Sequence, residues 1–132
     1  MRYCADTWFF IELSKNERRA LEIIRALGKH KNRIIIPAVV LLELRRISIR
    51  SGKKELSNDF IKSLELNKNF EIINCDLEVS IKAGEISANY NIPAIDSIIV
   101  ASAIIHKCHR LISKDNHFKI LQKNRLIRLL YW

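Results

Sequence analysis

Residues 34–44 read Ile-Ile-Ile-Pro-Ala-Val-Val-Leu-Leu-Glu-Leu, and two kinds of structure meet inside them. The β-branched run over 33–36 favours an extended strand. Pro37 then suits the first position of a helix, where its missing N–H costs nothing. That helix is expected to run to about residue 50, where Ser51-Gly52 breaks it. A strand passing directly into a helix is the repeating unit of an α/β fold. Glu43 is the odd residue. It lies nearly two turns inside the helix, beyond the reach of capping and of most of the helix-terminus field. An ion pair with Arg46 or Arg50 is the ordinary explanation. A functional site is the other.

The same alternation extends in both directions. Residues 3–5 read as a short buried strand ending at Asp6, and 7–13 as a short helix with Asp6 as a possible cap. Residues 16–27 form a stronger helix, with Ala20, Ile24 and Leu27 on one face and Gly28 as its stop. Residues 57–66 continue as helix, Ser57 being a plausible cap. A third strand is expected over 70–74, then a helix over 77–90 capped by Asp76. After Pro93, residues 94–107 are apolar on nearly every side, hence a central buried helix. Residues 110–113 read as a fourth strand, 116–122 as a short helix and 127–130 as a last strand. Strands alternating with helices imply one α/β domain over 1–132, a parallel sheet between two helical layers.

In such sheets, sites form beyond the C-terminal ends of the strands. Asp6 and Asp115 fall at such ends. Glu43 and Asp96 lie on helices that begin near the same edge. Each acid also stands in an apolar context: Asp6 closes Arg-Tyr-Cys-Ala-Asp, Asp96 lies within Ile-Pro-Ala-Ile-Asp-Ser-Ile-Ile-Val-Ala-Ser-Ala, and Asp115 closes Leu-Ile-Ser-Lys-Asp. Burying an unpaired carboxylate is costly, so such acids need a cation or a proton. Asp6, Asp96 and Asp115 could each simply cap a helix or shape a turn. Four convergent acids would instead cage a hard divalent ion such as Mg²⁺ or Mn²⁺.

The body around these acids is basic. Lys and Arg number 23 against 14 acids, a net charge of +9 in 132 residues. Arg45, Arg46, Arg50, Lys53 and Lys54 follow Glu43 closely, which favours a polyanionic partner over a merely soluble surface. An acidic metal pocket on a basic body suggests phosphodiester chemistry on nucleic acid. Aromatic residues are few, so an extended base-stacking platform is not expected, and Trp8, Phe9 and Phe10 read as core. An apolar share of 48% argues against disorder, and no apolar stretch has the length of a membrane span. The N-terminus reaches Asp6 too soon for a secretion signal. Cys4, Cys75 and Cys108 have no close spacing and read as reduced core thiols of a cytoplasmic protein.

Other residues have quieter readings. Thr7 and Ser113 neighbour the acids, where a hydroxyl could orient a carboxylate. His117 could touch the site rim. His106 and His109 sit near the end of the buried helix, where cations are favourable. His30 reads as surface. Terminal Trp132 has no evident place.

With those residues in order, the whole chain resembles a PIN-domain ribonuclease, specifically a VapC-type toxin. The resemblance rests on Tyr-Cys-Ala-Asp-Thr, Val-Val-Leu-Leu-Glu-Leu, the segment around Asp96, and Leu-Ile-Ser-Lys-Asp-Asn-His-Phe. It maps the family's acidic quartet onto Asp6, Glu43, Asp96 and Asp115. It implies a four- or five-stranded parallel sheet, RNA cleavage dependent on one or two Mg²⁺ or Mn²⁺ ions, dimerisation and a cognate antitoxin. Arg45, Arg46 and Lys114 would then hold the RNA backbone. Two departures stand out: His117 occupies a position where many members carry another acid, and Ser113 one where Thr is frequent. The competing reading is a non-catalytic RNA-binding or scaffold protein that keeps the fold. Such a protein would usually lose part of the quartet, and none is missing here.

Overall fold

The computed structural model describes residues 1–132 except His30 and the side chain of Leu56; the expected surface position of His30 lies outside the described residues. Five parallel strands form one sheet: β1 (Arg2–Ala5), β2 (Arg33–Pro37), β3 (Phe70–Ile73), β4 (Arg110–Ile112) and β5 (Leu129–Leu130). Their order is β3-β2-β1-β4-β5. Seven α-helices flank them among the described residues: α1 (Thr7–Ser14), α2 (Arg18–Lys29), α3 (Ala38–Arg50), α4 (Lys54–Leu66), α5 (Leu77–Tyr90), α6 (Ala94–Ile105) and α7 (Lys119–Lys123). A 3-10 turn, Asn116–Phe118, precedes α7. This is the expected three-layer α/β/α arrangement. Cys4 pairs with Ile35 on one side and Leu111 on the other, so β1 is the middle of the sheet.

The core explains the apolar runs. Ile34, Ile35 and Ile36 are all fully buried, as a strand covered on both faces requires. Helix α6 packs over β1, β2 and β4, and α5 packs on α6. Six residues of α6 are buried, from Ser97 to Ala103, which accounts for its lack of a polar face.

Several boundaries differ from the sequence expectation, each for a local reason. Pro37 ends β2 rather than opening a helix: its ψ of 133° is extended and it pairs with Ile73. Helix α2 starts at Arg18 because Asn16 turns left-handed (φ 56°) and the Glu17 carboxylate accepts from the Ala20 N–H. It also runs through Gly28 to Lys29. Helix α4 begins a turn before Ser57, which lies inside the helix and donates back to the Lys54 carbonyl (2.7 Å). Gly52 takes a φ of 71° and makes the break between α3 and α4, a conformation glycine adopts freely. Helix α6 stops at Ile105, with Lys107 left-handed at φ 53°. The helix expected over 116–122 divides into the 3-10 turn and α7, and β5 pairs only Leu129 and Leu130. All three cysteines are free, but Cys75 is exposed rather than core. Among the described residues, no helix is long and apolar enough to cross a membrane.

Candidate active site

The chain moves from β1 outward to β3, then returns to the other side of β1 with β4 and β5. The order therefore reverses between β1 and β4, which is where an open parallel sheet leaves a crevice at its C-terminal edge. Asp6 follows β1 directly and Asp115 follows β4 after two residues. Glu43 is the sixth residue of α3, and Asp96 lies in the first turn of α6. The structure brings these four acids to one cavity of about 390 Å³, lined also by Thr7, Trp8, Ile11 and Lys114.

Asp6 is the most constrained of the four. It is 6% exposed and serves as N-cap of α1. Its Oδ1 accepts from the Thr7 N–H (2.7 Å) and its Oδ2 from the Ser113 hydroxyl (2.5 Å). Burial raises its pKa to about 6; the bonds from Ser113 and Thr7 pull it down, and the charges of Glu43 and Asp96 push it up. Capping and site membership are thus not exclusive: one carboxylate does both. Ser113 is itself fully buried and links two acids, because its Oγ also accepts from the Asp115 N–H (3.1 Å).

Glu43 accepts a hydrogen bond from the Thr7 hydroxyl at 2.7 Å. It makes no ion pair with Arg46 or Arg50 among the described residues. Asp96 follows an uncapped Pro93 N-cap, and its Oδ2 faces His117 Nδ1 at 2.8 Å instead of a backbone N–H. Burial and the neighbouring Asp115 charge raise its pKa, opposed by His117. Asp115 caps the 3-10 turn through the His117 N–H (2.9 Å), and its Oδ1 is 3.1 Å from His117 Nδ1. Among the described residues, no Lys or Arg pairs with any of the four acids; His117 alone does. Nor do Glu43 Oε2, Asp96 Oδ1 and Asp115 Oδ2 accept a hydrogen bond among those residues. Four acids therefore converge with oxygen lone pairs to spare and little protein charge to balance them. Hard oxygen donors in that state fit a divalent ion such as Mg²⁺ or Mn²⁺.

The basic residues divide. Lys114 lines the cavity with an exposed side chain. Arg46 is exposed on α3 but is not among the lining residues. Arg45 is committed elsewhere: its Nη1 donates to the Lys54 carbonyl (3.2 Å), the Ser57 hydroxyl (2.8 Å) and Asn58 Oδ1 (2.6 Å). It clamps α3 to α4. Arg45→Ala should therefore cost stability, about 1.5–3 kcal/mol for hydrogen bonds from a charged donor. Urea unfolding checks this, and an unchanged midpoint would show that the clamp carries no weight.

Two features go beyond the sequence expectation. His117 contacts two of the four acids rather than merely touching the rim, a consequence of the 3-10 turn after Asp115. Trp132 stacks on Trp8, ring centroids 4.7 Å apart and tilted by 46°. Trp8 thus forms a cavity wall backed by the C-terminal indole, while Phe9 and Phe10 are core. His106 and His109 stand at the opposite edge of the sheet, where His109 Nδ1 accepts from the Arg2 N–H (3.0 Å).

Comparison with known proteins bears on the fold and the family. No curated protein matches by sequence. Solved structures match closely in fold. VapBC2 from Rickettsia felis, solved bound to a promoter DNA fragment, aligns over 100% of this chain and 99% of the matched chain, with a TM-score of 0.80 and 22% identity. VapBC-1 from nontypeable Haemophilus influenzae aligns over 100% and 98%, with a TM-score of 0.75 and 20% identity. FitAcB from Neisseria gonorrhoeae aligns over 97% and 96%, with a TM-score of 0.71 and 18% identity. The family model for the PIN domain matches residues 3–124, nearly the whole chain, and the chain therefore belongs to the PIN domain family.

Proposed function

We propose that this chain is a metal-dependent endoribonuclease and the toxin of a VapBC-type toxin–antitoxin pair. The observation that carries the reading is the convergence of Asp6, Glu43, Asp96 and Asp115 from four separate elements without a balancing Lys or Arg among the described residues. PIN domains are generally nucleases, and the structural matches include complexes of a toxin with its antitoxin. A small antitoxin, a second copy of this chain and cytoplasmic RNA are the partners proposed.

Each residue has a role in the reading. Asp6 and Asp96 are the principal ligands for Mg²⁺ or Mn²⁺, with Glu43 and Asp115 completing the set. A bound ion would supply Lewis-acid activation of water and offset charge on the leaving oxygen. Thr7 and Ser113 hold the carboxylates in place. Thr7 fixes Glu43 Oε1, and Ser113 fixes Asp6 Oδ2 while tying down the Asp115 backbone. Lys114 stands at the mouth of the cavity, where an ammonium can meet a backbone phosphate. Trp8 and Ile11 give the cavity an apolar wall.

The test is cleavage of RNA by the purified chain. Cutting is expected with Mg²⁺ or Mn²⁺ and none in excess EDTA; unchanged cutting in EDTA would overturn the reading. RNA binding by an inactive variant should weaken steeply with salt, since basic residues bind phosphates by releasing counterions. A flat salt dependence would assign the basic surface to another partner.

A further inference from the structure

We propose that His117 Nδ1 is itself a metal ligand, joining Asp96 and Asp115 in a mixed nitrogen–oxygen site that favours divalent transition ions over Mg²⁺. The inference rests on the metal-dependent reading above and adds which ion the site prefers.

Three donor atoms carry it. Asp96, Asp115 and His117 each offer one ligand atom, and all three lie within 4.8 Å of one another. His117 Nδ1 is 2.8 Å from Asp96 Oδ2 and 3.1 Å from Asp115 Oδ1. Donors about 2.1 Å from an octahedral ion are separated by about 3.0 Å along each cis edge. The two edges at His117 bracket that spacing. Nδ1 also faces two carboxylates at once, so the position between the three atoms that a ring proton can fill is one that a divalent ion can take.

The backbone holds the ring there. The His117 N–H donates to Asp115 Oδ1, so the carboxylate and the ring come from one tight turn. Phe118 follows, fully buried, and its N–H donates to the Asp115 carbonyl (3.3 Å). That anchor fixes the turn and limits where the imidazole can go. The side chain is about half exposed, 53%, so the outer nitrogen Nε2 can carry its hydrogen toward solvent while Nδ1 faces inward.

The selectivity follows from the donor type. Mg²⁺ prefers oxygen ligands and parts reluctantly with its waters. Imidazole nitrogen suits first-row transition ions, whose affinities for such sites rise from Mn²⁺ upward. An oxygen-only site would bind Mg²⁺ and Mn²⁺ through the same carboxylates. A nitrogen ligand strengthens only the transition ions.

The experiment uses Mn²⁺ as the probe, with wild type, His117→Asn and, as control, His106→Asn at the far end of α6. Pulsed electron paramagnetic resonance of bound Mn²⁺ reads nitrogen coordination directly. A ¹⁴N coupling is expected in wild type and in His106→Asn, and its loss in His117→Asn. Calorimetry should show Mn²⁺ affinity falling about tenfold or more in His117→Asn, since even outer partners of metal ligands cost that much. Mg²⁺ affinity should change far less. Circular dichroism checks that each variant is folded. No ¹⁴N coupling in wild type, or a coupling that persists in His117→Asn, overturns the proposal. So does an equal loss of Mn²⁺ and Mg²⁺ affinity, which would make His117 a general electrostatic influence. RNA cleavage, assayed separately, keeps the two readings apart. A chain that cuts RNA without nitrogen ligation refutes only this inference. One that ligates through nitrogen but cuts nothing refutes only the nuclease reading.

Discussion

Asp96→Asn is expected to lower RNA cleavage by at least about a hundredfold while the circular dichroism spectrum stays native. The magnitude is a floor. Losing an outer partner of a metal ligand already costs about 10- to 100-fold, and Asp96 is proposed as a ligand. The substitution keeps the size of the side chain, so the first turn of α6 should survive. It removes one of two carboxylates facing His117, leaving Asp115 alone beside the ring. The affinity for Mn²⁺ should fall together with the rate. A variant that cleaves at the wild-type rate would remove Asp96 from the chemistry. A variant that binds Mn²⁺ as tightly as wild type yet cuts nothing would place Asp96 at the reacting phosphate instead.

The apo protein gives a second contrast at the same residue. Burial and Asp115 together make the Asp96 charge unfavourable, so the neutral amide should melt slightly higher without metal. A purely structural cap predicts the opposite order. Asp96 accepts no backbone N–H among the described residues, which argues against that alternative.

What could be read from the sequence follows a physical division. The acids were legible because burying a carboxylate in an apolar run is costly, and four such exceptions at one sheet edge are hard to produce by accident. The sheet was legible because strands buried on both faces read as continuous β-branched runs, as Ile34, Ile35 and Ile36 do. Helix ends were less legible. Gly28 has the character of a stop, yet α2 passes through it, and Ser57 that of a cap, although α4 begins a turn earlier.

Side-chain destinations were the least legible. Arg45 and Arg46 are adjacent in sequence, but successive helix residues point about 100° apart. That rotation sends Arg45 onto Ser57 and Asn58, while Arg46 stays exposed. His117 was placed by a 3-10 turn whose geometry no spacing rule predicts. Trp132 was placed by tertiary packing, against Trp8 and the core.

Stability should depend on pH in a sense opposite to that of most acids. A typical native carboxylate has a lowered pKa and stabilises the fold above its unfolded value. Asp6 is reversed: its folded pKa is about 6 against 3.8 for an aspartate free in solution. Below both values the group is protonated in both states and contributes no penalty. As pH rises between them, the unfolded chain releases the proton while the folded chain retains it, so stability falls. Above about pH 6 the penalty is complete. At 1.36 kcal/mol per unit, it amounts to about 3 kcal/mol. Asp96 is shifted in the same direction and adds to the effect. Asp6→Asn removes the Asp6 contribution but turns an amide N–H₂ toward Ser113 or the Thr7 N–H, costing about 1 kcal/mol for the lost acceptor. The metal-free variant should therefore be less stable than wild type near pH 4 and more stable by about 2 kcal/mol at pH 7.5, with the curves crossing between. Mn²⁺ should reverse that order at pH 7.5, because an ion bound to the ionised pocket stabilises wild type by about 2.7 kcal/mol at 100 times the dissociation constant and the variant far less. Below pH 6 the ion must also displace the Asp6 proton, so its stabilising effect should weaken as pH falls. Urea unfolding of both proteins in EDTA and in Mn²⁺, from pH 4 to 7.5, measures all of these signs. Parallel curves for the two metal-free proteins would mean that Asp6 titrates as an ordinary carboxylate, and the buried acidic pocket would lose its central member.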